Sequence, residues 1–246
     1  MVLVCHKHRF IFLKTTKTAG TSTEKALQPL CEAPGMDVLK PGVARESKYG
    51  IVGARGSVLH KAPPKWQFWR KYPWRNHMPA SEVKSNLGRT RFEQYTKYGN
   101  VRNPFDRAVS QFHFMKHLMN LPSEDPQTEI KQFKEFIRSE EWFDDWNIVS
   151  VDNTLVIDSF ITKENLVGDL TKIFKGYGLS EDSFKLPHDK SMRERRKGIP
   201  VPDYFDSRTI DIVRRKMAWV FEALPYPEQP QDDSSPETVH PLEVQI

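Results

Sequence analysis

Phe10 to Ala26 reads FIFLKTTKTAGTSTEKA, and the three parts of this stretch decide the fold. Phe10-Ile11-Phe12-Leu13 is a short apolar run of residues that favour a buried strand. Lys17 then leads six small, mostly hydroxylated residues, Thr18-Ala19-Gly20-Thr21-Ser22-Thr23. A helix is predicted to open with Thr21 as N-cap and Glu24, three residues on, as its capping-box partner. Strand, small-residue turn and helix N-terminus make an anion cradle. The turn lets backbone N–H groups approach an oxyanion, and the helix start adds unpaired donors and a positive dipole end. With a lysine at its lip, the cradle suits a phosphate or sulfate ester.

At 246 residues the chain is long enough for one α/β domain with a proper core. No apolar run approaches the roughly 20 residues that cross a membrane. The start, MVLVCHKHRFIF, lacks the charged-then-apolar layout and cleavage site of a signal peptide, so a cytoplasmic protein is expected. Cys5 and Cys31 give neither a disulfide framework nor metal spacing and are expected to be reduced, partly buried thiols. The formal charge of +5 hides an asymmetry: from Tyr226 onward there are five acidic residues and no Lys or Arg. The body therefore sets 37 basic against 27 acidic residues, a net of +10. Such a body suits nucleotides, sulfated or carboxylated glycans, or nucleic acid, and charge alone does not choose among them.

Downstream, Lys61 to His77 reads KAPPKWQFWRKYPWRNH. Its rings could stack on sugar or base faces while its cations hold anionic groups. The alternative is a loop that packs its rings on the body and leaves its charges in water. Trp66, Trp69, Arg70 and Trp74 are the candidate acceptor contacts. A helix start follows at Pro79-Ala80-Ser81-Glu82, with Val83 and Leu87 as apolar pair and Gly88 as stop. A lone histidine is more often a surface group, but His77 stands out by lying between the aromatic-basic stretch and this helix.

The second informative segment, Tyr95 to Met119, reads YTKYGNVRNPFDRAVSQFHFMKHLM. A strand should end at Val101, with Asn103 as N-cap, Pro104 as first helical residue and Asp106 in the first turn. Phe105, Ala108, Val109, Phe112, Met115 and Met119 share a core face, and at about 100° per residue Ser110 falls off that stripe. Arg102 sits at a strand-to-helix turn, where α/β proteins bind ligands. Further helices are predicted over Thr128–Ser139 and Lys163–Gly176, with a strand at Leu155–Ile161 between them. A last helix should run from Ser207 to Leu224 with Ile210, Val213, Met217, Val220 and Phe221 as its stripe. The basic run Lys190–Lys197 is a solvated loop or an anion contact. Neither a repeat nor a second core is visible. The expected architecture is α/β: a single P-loop-like domain over residues 1–225, its central, mainly parallel sheet flanked by helices. Residues 226–246 form an acidic, Pro-rich tail expected to be mobile.

A nucleotide-triphosphate loop of the G-x-x-x-x-G-K-[ST] type carries its lysine after the second glycine, next to a hydroxyl for Mg²⁺. Here Lys17 precedes Gly20, and no Asp/Glu pair plainly holds a metal, so no metal site is expected. LKTTKTAGTS, VRNPFDRAVS and ITKENLVGDL, in that order, resemble the motifs of the sulfotransferases that use 3′-phosphoadenosine 5′-phosphosulfate (PAPS). The likeness is greatest to the group of bacterial and Golgi carbohydrate sulfotransferases, including the uronyl 2-O type. It runs from Phe10 to Phe221, apart from Glu32–Trp74.

The resemblance implies PAPS as donor and 3′,5′-ADP as product. By it Lys17 is the catalytic lysine, and Lys14, Thr18, Ala19, Gly20, Thr21, Ser22 and Thr23 belong to the loop gripping the 5′-phosphate-sulfate end. Arg102 and Ser110 match the pair that binds the 3′-phosphate. His77 stands where the carbohydrate branch often has its base. Arg193 to Gly198 resembles a mobile basic segment that closes over the cofactor, and within it Arg196-Lys197-Gly198 resembles a motif of the cytosolic branch. Three departures are visible: Ile199-Pro200 breaks that last motif, Thr16 replaces the usual proline before the loop lysine, and AWVFEALPYP replaces an aspartate and Phe-Gly-Tyr near the last helix. The implied acceptor is a small molecule or a carbohydrate, with no nucleic-acid partner. The competing readings are an ATP-dependent small-molecule kinase and a non-catalytic binder of polyanions or nucleic acid.

Overall fold

Short apolar runs broken by turn residues set the order of the elements. The computed structural model describes residues 1–36, 43–55, 73–122, 124–184 and 198–232. Its strands are β1 Leu3–Cys5, β2 Phe10–Leu13, β3 Arg45–Glu46, β4 Gly50–Val52, β5 Thr96–Val101, β6 Ser150–Val151, β7 Thr154–Leu155 and β8 Ser159–Thr162. Its helices are α1 Gly20–Leu27, α2 Ala80–Leu87, α3 Arg89–Gln94, α4 Pro104–Leu118, α5 Pro126–Ser139, α6 Trp146–Val149, α7 Leu166–Gly176, α8 Ser207–Lys216 and α9 Ala218–Ala223. No described helix is long and apolar enough to cross a membrane. The chain groups into two compact units, Met1–Val101 with Asp145–His188, and Arg102–Asp144 with Asp189–Ile246.

The first unit holds a six-stranded sheet in the order β3-β4-β1-β2-β5-β8. The expected α/β class with a central sheet holds, but the sheet is mixed. β2, β5 and β8 run parallel, with Leu13 opposite Gly99 and Tyr98 opposite Ser159. β1 and β2 are antiparallel because only four residues join them, too few for a crossover. β4 and β3 continue the antiparallel half. Both faces of β2 are covered, which is why FIFL reads as an unbroken apolar run rather than an alternating one. Leu3, Phe10, Phe12, Leu27, Ile161, Leu170 and Phe174 fill the core, together with the free thiols Cys5 and Cys31.

The strand predicted at Leu155–Ile161 is split into β7 and β8. Asp158 turns the chain between them: its N–H donates to the Lys97 carbonyl at 2.9 Å, and its carboxylate accepts the Lys97 N–H at 2.8 Å. Gly99 makes room for this turn, since a Cβ there would lie 2.9 Å from Ile157 Cδ1.

In the second unit α4 begins as predicted, with Pro104 first and the Asn103 side chain accepting from the N–H groups of Phe105 (3.0 Å) and Asp106 (3.3 Å). Phe105, Ala108, Val109 and Phe112 are buried, but so is every other residue from Pro104 to His113, Ser110 included. Met119 is exposed instead of core-facing because the helix stops at Leu118. Arg107 is fully buried, donating to Met217 Sδ and to the Phe143 carbonyl, both at 2.9 Å. The single last helix predicted over Ser207–Leu224 is interrupted at Met217 (φ −108°, ψ 21°), whose sulfur accepts from Arg107. Edge-to-face rings of Phe112, Phe133, Tyr204 and Phe205 complete this core.

Candidate active site

At the carboxyl end of β2 the chain enters a tight turn before α1. Lys17 (φ 59°) and Ala19 (φ 61°) both lie in the left-handed region, a strain of about 1–3 kcal/mol each for residues with a Cβ. Such strain persists only where the surroundings hold it, and here they do. Thr15 Oγ1 donates to the Asn100 carbonyl at 2.6 Å and lies 2.8 Å from Thr18 Oγ1. Thr16 donates its N–H (2.6 Å) and its hydroxyl (2.7 Å) to one oxygen of Asp145. Beneath the turn, buried Asn100 donates from Nδ2 to Thr23 Oγ1 at 2.9 Å. Gly20 must be glycine, because a Cβ would lie 2.8 Å from Lys14 Cγ and 3.3 Å from Asn100 Oδ1. The N–H groups of Ser22 and Thr23 converge on the Ala19 carbonyl, and those of Gly20 and Thr21 begin the helix without an intrahelical acceptor.

The predicted capping box is absent. Left-handed Ala19, not Thr21, is the N-cap, and no side chain caps the helix. Glu24 turns into the fold, fully buried, where it accepts from Lys14 Nζ (2.9 Å), Arg55 Nε (2.7 Å) and the Met1 amine (2.6 Å). A buried carboxylate needs such partners, and this demand outweighs a terminal cap. Lys14 is therefore directed inward, bonded to Glu24 and to Thr21 Oγ1 at 3.1 Å. Lys17 is half-buried.

His77 belongs to the same unit. Its Nδ1 lies 3.0 Å from the Lys14 carbonyl. A carbonyl only accepts, so Nδ1 carries the proton and Nε2 is the basic nitrogen. Burial pulls the imidazole pKa down to about 4; Asp145 opposes this, while Lys14 and the Met1 amine reinforce it. The ring is neutral at pH 7. Packing of α2 on α6 brings the residue before each helix into this neighbourhood, His77 near α2 and Asp145 at the start of α6. Sequence patterns had not singled out Asp145 or Asn100, since neither carries a local motif.

In the second unit Arg102, Asp106 and Ser110 fall at i, i+4 and i+8, one above another. The Arg102 guanidinium is paired to the Asp106 carboxylate, and Ser110 is buried one turn on. Trp74, one of the candidate acceptor contacts, is buried, and its indole N–H donates to Glu46 at 2.6 Å. Trp66, Trp69, Arg70, Arg196 and Lys197 lie outside the described residues, while Gly198 is described and has φ 75°.

Comparison with known proteins agrees with the motifs. A model of the sulfotransferase family matches residues 1–163, about two thirds of the chain, including the turn after β2, His77 and the Arg102–Ser110 segment. An uncharacterized protein of Archaeoglobus fulgidus is 27% identical over 110 residues, covering 43% of this chain and 86% of that protein. No solved structure matches. With the family model covering two thirds of the chain and spanning both motifs, the chain belongs to the sulfotransferase family.

Proposed function

We propose that the protein moves a sulfuryl group from PAPS to an acceptor hydroxyl and releases 3′,5′-ADP. The observation that carries this reading is the turn at Lys17–Gly20, a lysine at the lip of a glycine-requiring bend that opens onto a helix N-terminus. Its donor set fits a sulfate or phosphate end group: N–H groups of Gly20 and Thr21, neighbouring hydroxyls, and the positive end of α1. Arg102 and Ser110 are assigned the 3′-phosphate on the strength of the second motif. When bound, PAPS supplies an activated sulfuryl group whose leaving group is a phosphate.

Each residue then has a physical task. Transfer forms a bond from sulfur to the acceptor oxygen and breaks the bond from sulfur to the bridging oxygen, where negative charge collects. Lys17 and the turn's N–H groups stabilise that charge, preorganised before reaction. A sulfuryl group carries less charge than a phosphoryl group, so the cation and dipoles suffice without a metal clamp. His77 Nε2 takes the acceptor proton, and the neutral ring at pH 7 leaves it free to do so. The acceptor class is a carbohydrate or a hydroxylated small molecule, and the domain responsible is residues 1–225.

The lowered pKa of His77 has a measurable consequence. The acid limb of the kcat/KM profile, which reports the free enzyme, should fall near pH 4 rather than near the ordinary 6.5. Between those values the unfolded chain binds a proton at this position that the folded chain does not, so stability should rise with pH across that window. His77→Ala should lose about 10²–10⁴-fold in kcat and leave 3′,5′-ADP binding intact. A loss below tenfold would remove His77 from the base role.

Calorimetry separates this function from a kinase. Tight 3′,5′-ADP binding in the absence of Mg²⁺ is expected; binding of Mg-ATP with no affinity for 3′,5′-ADP would overturn the proposal.

A further inference from the structure

We infer that Asp145 is a positioning residue that holds the turn carrying Lys17. The inference rests on the role given to Lys17 above.

Asp145 lies far along the chain from this turn, yet one of its oxygens receives two hydrogen bonds from Thr16, N–H at 2.6 Å and hydroxyl at 2.7 Å. Bonds of this length to an ionised carboxylate are of the strong, charge-assisted kind. The side chain is 96% buried, so its charge is tolerated only because such donors meet it. Asp145 is itself left-handed (φ 65°), like Lys17 and Ala19 in the turn, and it opens α6, which packs on α2. Thr16 immediately precedes Lys17. With Thr15 bonded to the Asn100 carbonyl and Thr16 to Asp145, the two residues leading into the left-handed bend are anchored to separate elements. A displacement of about 1 Å at a reacting group can cost 10²-fold in rate, and the Asp145 anchor is where this protein resists that displacement.

The test uses the full chain and four variants: Asp145→Asn, Asp145→Ala, Lys17→Ala and Asp145→Ala combined with Lys17→Ala. Nuclear magnetic resonance of the ligand-free protein should show the Thr16 amide proton far downfield in the wild type. It should move upfield in Asp145→Ala and less so in Asp145→Asn, which keeps an acceptor oxygen. In sulfuryl transfer, Asp145→Ala should lower kcat by about 10²-fold with KM for PAPS within about twofold. In the Lys17→Ala background the same substitution should lower kcat at least tenfold less than it does in the wild type.

An equal loss in both backgrounds would show that Asp145 acts only by general stability and overturn the inference. So would a Thr16 amide unmoved in Asp145→Ala. Should Asp145→Ala fail to fold, Asp145→Asn decides: folded, with kcat reduced and PAPS KM unchanged, it supports the inference, and with wild-type kcat and Thr16 shift it overturns it. A wild type that transfers no sulfate would refute the sulfotransferase proposal, and the Thr16 resonance would still decide whether Asp145 holds the turn.

Discussion

Lys17→Ala is expected to lower kcat by about 10²–10³-fold, the loss typical of removing one preorganised donor at a developing charge. Its affinity for 3′,5′-ADP should stay within about threefold of wild type. The two effects part because binding is shared among the N–H groups of the turn, the start of α1 and the residues assigned to the 3′-phosphate. Charge on the bridging oxygen, by contrast, appears only in the transition state. An interaction made there alone lowers kcat and kcat/KM equally and leaves ground-state binding untouched. Lys17→Arg should not restore the rate, because a planar guanidinium cannot occupy the place of a compact ammonium on a strained, left-handed residue. Steady-state kinetics with calorimetry on the same samples reads both quantities. A variant that loses 3′,5′-ADP affinity in step with kcat would make Lys17 a binding group only.

The largest effect on stability is expected at Glu24. Glu24→Gln preserves the side-chain shape and removes one buried charge, leaving Lys14, Arg55 and the Met1 amine without their shared partner. Breaking a buried pair from one side costs about 3–5 kcal/mol. For a chain of this size, at roughly 2–4 °C per kcal/mol, Tm should fall by on the order of 10 °C. The pH dependence has a definite sign. Burial pushes the Glu24 carboxyl up, but the Met1 amine and Lys14 together outweigh burial and hold it below the usual carboxylate value. A depressed carboxyl pKa gives stability that is present above the unfolded value and lost as pH falls through the folded one. Acid unfolding below about pH 4.5 should therefore include a Glu24 contribution that Glu24→Gln lacks. Thermal melts across pH 3–7 check this, and an unchanged Tm at pH 7 would mean the cluster contributes nothing net.

What could be read from the sequence was local. β2, the small-residue turn, the end of β5 at Val101 and the Asn103 cap each depend on residues a few positions apart, and all stand where expected. The misreadings share one cause, a partner distant in the chain. Glu24 resembled a capping residue because its partner Arg55 lies 31 positions away. The strand around Asp158 broke because that residue pairs with Lys97, 61 positions earlier. The last helix broke at Met217, which meets Arg107 from 110 positions earlier. Asp145 was invisible for the same reason, 129 positions from the Thr16 it anchors. Thr16 itself was legible only as a departure from the family's proline. The structure gives that departure a use, since proline has no N–H to donate to Asp145.

The most direct measurement is transfer of sulfur label from PAPS to a panel of carbohydrates and hydroxylated small molecules, read by mass spectrometry, with wild type and Lys17→Ala side by side in a chelator. The expected result is label on an acceptor hydroxyl, one 3′,5′-ADP released per sulfate moved, and loss of both in Lys17→Ala. No transfer by a wild type that instead phosphorylates members of the panel with Mg-ATP would contradict it.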